Sequence, residues 1–103
     1  MKVYLDDERP APEGWIGVRW PKDAINLLET EDVTHISLDH DLCGLMIDPE
    51  PTGMDVLLWL EEKVATGDWT KPLPVITIHT ANPAAKVRMK QALVSIKRLY
   101  ERN

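Results

Sequence analysis

Apolar residues gather along this chain in four short blocks, separated by segments where they recur every three or four positions. The first block, KVYL at residues 2–5, reads as a strand that stops at Asp6-Asp7. Arg9 to Gly14 holds two prolines and a glycine and forms a loop. WIGVRW at 15–20 is rich in β formers, with Ile16 and Val18 on one side, and predicts a second short strand. Pro21 suits a first helical turn, and over 21–30 the residues Ala24, Ile25 and Leu28 share one helical face. VTHISL at 33–38 is the third strand. Thr52 and Asp55 then have capping-box spacing, with Asp in place of the usual Glu. They open a helix over 53–65 that is apolar nearly all round its first turns and ends at Gly67. LPVITI at 73–78 is a continuous apolar run and makes the fourth strand. Asn82-Pro83 is an N-cap and N1 pair for a long last helix. Its stripe of Ala85, Met89, Ala92, Leu93, Ile96, Leu99 and Tyr100 steps by threes and fours, with Lys86, Lys90 and Lys97 off it.

Strands that alternate with helices, and lack charges until their last residue, predict an α/β fold with a mainly parallel sheet of four strands covered on both faces. The chain shows no internal repeat, low-complexity tract or linker, so a single domain over 1–103 is expected. In such sheets ligands bind beyond the C-terminal ends of the strands. Asp6-Asp7, Asp39-His40-Asp41 and His79-Thr80 each follow a strand directly, and parallel neighbours bring these clusters to one edge.

Composition narrows the function classes. With 44% apolar and 28% charged residues the chain is globular rather than disordered. Its longest uncharged apolar run falls far short of the roughly 18 residues needed to span a bilayer. KVYL begins without a signal-peptide pattern, so a cytoplasmic protein with no membrane contact is expected. One cysteine, Cys43, excludes a disulfide framework and a cysteine-cluster metal site, and reads as a small loop or core thiol. Residues 1–81 carry six Lys/Arg and sixteen Asp/Glu, a net −10; residues 82–103 carry six and one, a net +5. The basic last helix either contacts RNA or simply keeps a basic solvent face.

Four carboxylates from two strand ends repel one another unless something neutralises them. Oxygen-only ligands suit Mg²⁺ or Mn²⁺, with Asp6, Asp7, Asp39 and Asp41 as ligand candidates. On a straight strand Asp39 and Asp41 point one way and His40 the other, so the triplet does not all reach one ion. The plainer alternative is that some of these aspartates only cap turns. His79 offers a general acid or base, with His40 in reserve; the alternative is a structural imidazole on a backbone carbonyl. Thr80 and Asn82, beside the N-terminus of the last helix, and Arg9 are candidates to hold phosphate oxygens. Arg9 can equally pair with Glu8 or Asp41. His35, inside a strand, reads as structural, and Trp15, Trp20, Trp59 and Trp69 chiefly as core, with Trp15 or Trp20 available to stack on a base.

VYLDDER resembles the first strand and acidic pair of the receiver domains of bacterial response regulators. ISLDHDL is similar to their third strand, PTGMDVLLWL to the turn and helix after it, and PVITIHTA to their fourth strand with its hydroxyl residue, here Thr80. The resemblance implies a receiver-like (flavodoxin-like) three-layer sandwich, Mg²⁺ held with the help of Asp6 and Asp7, and Asp39 as the nucleophile toward phosphorus. The chain departs from that pattern in two ways. Only about ten residues join its first two strands, too few for a crossover helix, and it has no fifth strand with the lysine that senses the phosphoryl group. The DDER, DHDL and H-T-x-N motifs resemble a smaller family of cyclic-phosphate-processing receiver-like domains of phage and bacterial genomes, and the similarity covers nearly the whole chain.

That resemblance implies a metal-dependent phosphoesterase acting on cyclic phosphate ends of RNA or nucleotides. A second reading is a degenerate receiver that binds a protein partner, either switched by phosphorylation or constitutively. A structural domain with a relic acidic pocket is the third.

Overall fold

The computed structural model describes residues 1–42 and 51–102. Among these residues four strands form, β1 (Lys2–Leu5), β2 (Ile16–Val18), β3 (His35–Leu38) and β4 (Val75–Ile78), with three helices, α1 (Pro21–Thr30), α2 (Gly53–Thr66) and α3 (Pro83–Arg102). The strands lie in the order β2-β1-β3-β4 and every pairing is parallel. This is the expected four-stranded α/β arrangement with three helices.

Local chemistry sets the helix limits. Trp20 is extended ahead of Pro21 at the start of α1. The carbonyls at the other end of α1 receive the Lys71 ammonium, which donates to Leu28, Glu29 and Glu31 at 3.0, 3.0 and 3.1 Å. A cation thus sits where the helix dipole is negative, supplied from another part of the chain. Thr52 and Asp55 complete a capping box on α2, and Gly67, at φ 82°, ends it in the left-handed conformation that glycine adopts freely. The Asn82 side chain accepts from the Ala85 amide at 3.1 Å and caps α3.

The helices share one face of the sheet. The crossovers β2-α1-β3 and β3-α2-β4 step the same way across it, and right-handed connections therefore put both helices on the same side. Helix α2 packs against α1 on one flank and α3 on the other. Between helices and sheet lies one core, in which Val3, Leu5, Ile36, Leu38 and Ile76 meet Ala24, Leu28, Val56, Leu57, Leu60, Val64, Met89 and Ile96. Tyr100, at the end of the expected stripe, is exposed, whereas Ala85, Met89, Ala92 and Ile96 are buried.

Cover on both faces, the expected three-layer form, is where the structure differs. Among the described residues no helix lies over the opposite face, which presents Lys2, Tyr4, His35, Ser37, Val75 and Thr77. Only the β1-to-β2 connection steps the other way, and it is a loop, so the crossover that would supply the second layer is missing. No helix among the described residues is long and apolar enough to cross a membrane.

Candidate active site

Strand register aligns the chemistry. Tyr4 pairs with Ser37, and Ser37 with Thr77, across β1, β3 and β4. The ladder continues one residue past the strands: Asp39 N–H donates to Leu5 O at 3.1 Å and His79 N–H to Leu38 O at 3.0 Å. Two residues beyond the paired Tyr4, Ser37 and Thr77 come Asp6, Asp39 and His79. They form a row at the C-terminal edge, and one donor atom from each lies within 4.8 Å of the others.

Asp6 is the most tightly held of the three. Its Oδ1 accepts from the amides of Glu8 and Arg9, both at 2.9 Å, and its Oδ2 meets His79 Nε2 at 3.0 Å. Burial works to raise its pKa, but those two amides and the His79 ring outweigh it and hold Asp6 below the ordinary carboxylate value. Asp39 shifts the other way. Burial and the neighbouring Asp6 charge raise its pKa, only partly offset by the His40 amide, the His79 ring and the Thr80 hydroxyl.

His79 is fixed from three sides. Its Nδ1 lies 2.7 Å from Ser37 Oγ, its Nε2 faces Asp6, and its ring stacks on Tyr4 with centroids 4.4 Å apart and planes within 5°. Helix α2 begins directly against Asp39. The Gly53 amide donates to His40 O at 3.3 Å, and a Cβ at residue 53 would overlap the Asp39 carbonyl oxygen. Only glycine allows that approach.

A second group stands beside the row. His40 Nδ1 is 2.7 Å from Asp41 Oδ1, and the Asn82 amide group donates to Asp41 Oδ2 at 3.4 Å. His40 Nε2 makes no hydrogen bond among the described residues.

A model of the cyclic-phosphate processing receiver domain matches the chain over residues 1–95. The chain belongs to that family. No curated protein and no solved structure matches it. Family membership makes this a receiver-like domain associated with cyclic-phosphate processing, and the row occupies the C-terminal sheet edge where the resemblance put the acidic residues of the receivers.

Within the family frame, the remaining candidates separate. Thr80 is buried, accepts from the Asn82 amide at 3.2 Å and turns toward Asp39. Asn82 spends its side chain on Ala85 and Asp41 rather than on the row. Asp7 lies outside the three-residue row, and its Oδ1 is buried without a hydrogen-bond partner. The Arg9 side chain is exposed and pairs with neither Glu8 nor Asp41, since the ion pairs among the described residues are His40–Asp41 and His79–Asp6. His35 bonds Thr34 and meets the edge of Trp15, a structural role. Cys43, read from the sequence as a small loop or core thiol, lies outside the described residues.

Two carboxylates and an imidazole converging within 4.8 Å, with an orphaned buried carboxylate oxygen on the next residue, suit a divalent cation. Ser37 and Tyr4, which hold His79, were not legible as site residues. The available signal was the two-residue step from Tyr4 to Asp6 and from Ser37 to Asp39.

Proposed function

We propose that this domain hydrolyses a cyclic phosphodiester at the end of a nucleotide or RNA, with a divalent cation, Mg²⁺ or Mn²⁺, held by Asp6, Asp39 and His79. The row of those three residues at the open ends of the strands carries the reading. A bound cation would polarise a phosphoryl oxygen and offset charge that builds in the transition state. Asp39, at the centre of the row and at the receiver phospho-acceptor position, attacks phosphorus. The ribose oxygen that leaves takes a proton from His40, whose Nδ1 is oriented by Asp41 and whose Nε2 is otherwise unused. Water then adds to the aspartyl phosphodiester and passes a proton to His40. That step frees Asp39, and the product is a phosphomonoester. The proton goes to His40 rather than His79 because both nitrogens of His79 are already engaged. Thr80 and the exposed Arg9 guanidinium bind the remaining phosphate oxygens.

Helix α3 begins beside the row, and its Lys86, Lys90 and Lys97, at helical spacing on one side, offer a basic strip to the RNA backbone. Affinity for an RNA end should therefore fall steeply with salt. Phosphorus NMR of a 2′,3′-cyclic nucleotide, and of a short RNA with a cyclic end, tests the proposal. Conversion to a monoester that is lost in Asp39→Asn is expected. Unchanged spectra for both, together with acyl-phosphate formation from a small phosphodonor, would replace the enzyme with a receiver module that binds a partner.

A further inference from the structure

The sheet face without a helix holds a second layer of the site. Ser37 is buried, with 6% of its surface exposed, and among the described residues its hydroxyl bonds one side-chain group, His79 Nδ1 at 2.7 Å. Tyr4 lies flat on the same imidazole at 4.4 Å. Ser37 and Tyr4 are register partners on β3 and β1, so one row of the sheet fixes both the rotation and the plane of the His79 ring. Nothing about cation binding in general demands this. A carboxylate-only site would leave the imidazole free to turn.

We infer that Ser37 and Tyr4 hold His79 as a nitrogen donor to the cation, so that the site selects Mn²⁺ and similar imidazole-accepting ions over Mg²⁺. This rests on the cation-binding reading above and specifies which ion the row takes. The hydroxyl explains how one side chain serves both states. In the metal-free protein a proton lies between His79 Nε2 and Asp6 Oδ2, and the Ser37 hydroxyl can donate to Nδ1. With a cation on Nε2, the proton moves to Nδ1, and the same hydroxyl accepts it. A hydroxyl both donates and accepts, whereas alanine does neither. Histidines that bind metals almost always pass their second ring N–H to a fixed acceptor, and loss of that acceptor typically lowers metal affinity about 10- to 100-fold. Imidazole nitrogen is a poor match for Mg²⁺, which prefers oxygen and retains water, but is accepted by Mn²⁺ and later ions.

The test is metal titration of the whole domain without substrate. Wild-type protein should bind Mn²⁺ at least about ten-fold more tightly than Mg²⁺ by thermal shift and calorimetry. Pulsed electron paramagnetic resonance of the Mn²⁺ form should show coupling to one imidazole nitrogen, absent in His79→Gln. Ser37→Ala should weaken Mn²⁺ about ten-fold or more and leave Mg²⁺ within about two-fold, and Ser37→Thr should restore Mn²⁺. Circular dichroism of each variant checks that β3 still pairs. Binding of Mn²⁺ without nitrogen coupling, or a Mn²⁺-to-Mg²⁺ ratio unchanged in His79→Gln, overturns the inference and leaves the cation site standing. Binding of neither ion to folded wild-type protein overturns the cation site itself, and this inference with it.

Discussion

Replacing Asp39 by asparagine should make the metal-free protein more stable while removing its activity. The carboxylates of Asp6 and Asp39 offer oxygens within 4.8 Å of each other, and the Asp6 side chain is only 2% exposed. At an effective dielectric constant of about 20, two charges at that separation repel by about 3.5 kcal/mol. Much of this is offset in the native protein. The His40 amide donates to Asp39 Oδ1 at 2.8 Å, and the His79 ring and Thr80 hydroxyl also favour the charged form. Asparagine keeps an oxygen for the His40 amide and drops the charge, so a net gain of about 1 kcal/mol is expected after solvent screening at this partly exposed group. For a domain of this size that corresponds to a Tm increase of roughly 4–8 °C. The pH dependence supplies the sign. The pKa of Asp39 is raised in the folded state, so its cost is fully present above that raised value and fades as pH falls toward the ordinary 3.8. The advantage of the variant should therefore shrink on acidification. Asp6 behaves oppositely: its lowered pKa gives stability that is present above 3.8 and lost as pH falls further, in both proteins. Thermal melts in chelator between pH 7 and pH 3 would decide. A variant that melts at or below the wild-type temperature at pH 7 would refute the claim that two unneutralised carboxylates share this edge.

Other substitutions separate positioning from chemistry. Gly53→Ala forces a methyl onto the Asp39 carbonyl; it should cost about 1–3 kcal/mol in denaturant melts and remove most of the Mn²⁺-induced rise in Tm. His40→Ala should slow turnover about 100-fold or more in the phosphorus NMR assay while leaving that Mn²⁺-induced rise intact, because His40 lies outside the row. Lys71→Met strips three hydrogen bonds from the C-terminal carbonyls of α1 and should lower stability by about 1–2 kcal/mol, with activity unchanged below the melting range.

Much of the fold was legible because its signals are local. Apolar blocks between turn residues marked all four strands, and Pro21, the Thr52–Asp55 box and Asn82-Pro83 marked the helix starts. The missing second helical layer was implicit in the short link between β1 and β2, but a parallel sheet with charge-free strands argued for cover on both faces. That expectation hid Ser37 and Tyr4, which look like interior residues of buried strands until one face is known to be open. The three clusters after the strands were legible as neighbours at one edge. Which member of each cluster joins the row was not, because it depends on register to the residue: Asp6 rather than Asp7, Asp39 rather than Asp41. Asn82 illustrates the same limit. Its value as a cap was evident, while its bond to Asp41 depends on how the β3 and β4 loops meet.

The alignment of Asp6, Asp39 and His79 also makes the site a check on correct folding. Side chains change face with every residue of a strand, so sliding β3 by one position against β1 would bring Leu38 or His40 opposite Asp6. A collapsed chain with its helices formed and its strands mispaired would keep much of its apolar burial and lose the row entirely. Cation binding, as proposed for the row, would therefore count correctly paired molecules rather than compact ones. The same arithmetic shapes what sequence change the domain tolerates: length can vary in the links between elements, but one residue added between Tyr4 and Asp6, or between Ser37 and Asp39, removes the chemistry before it removes the fold.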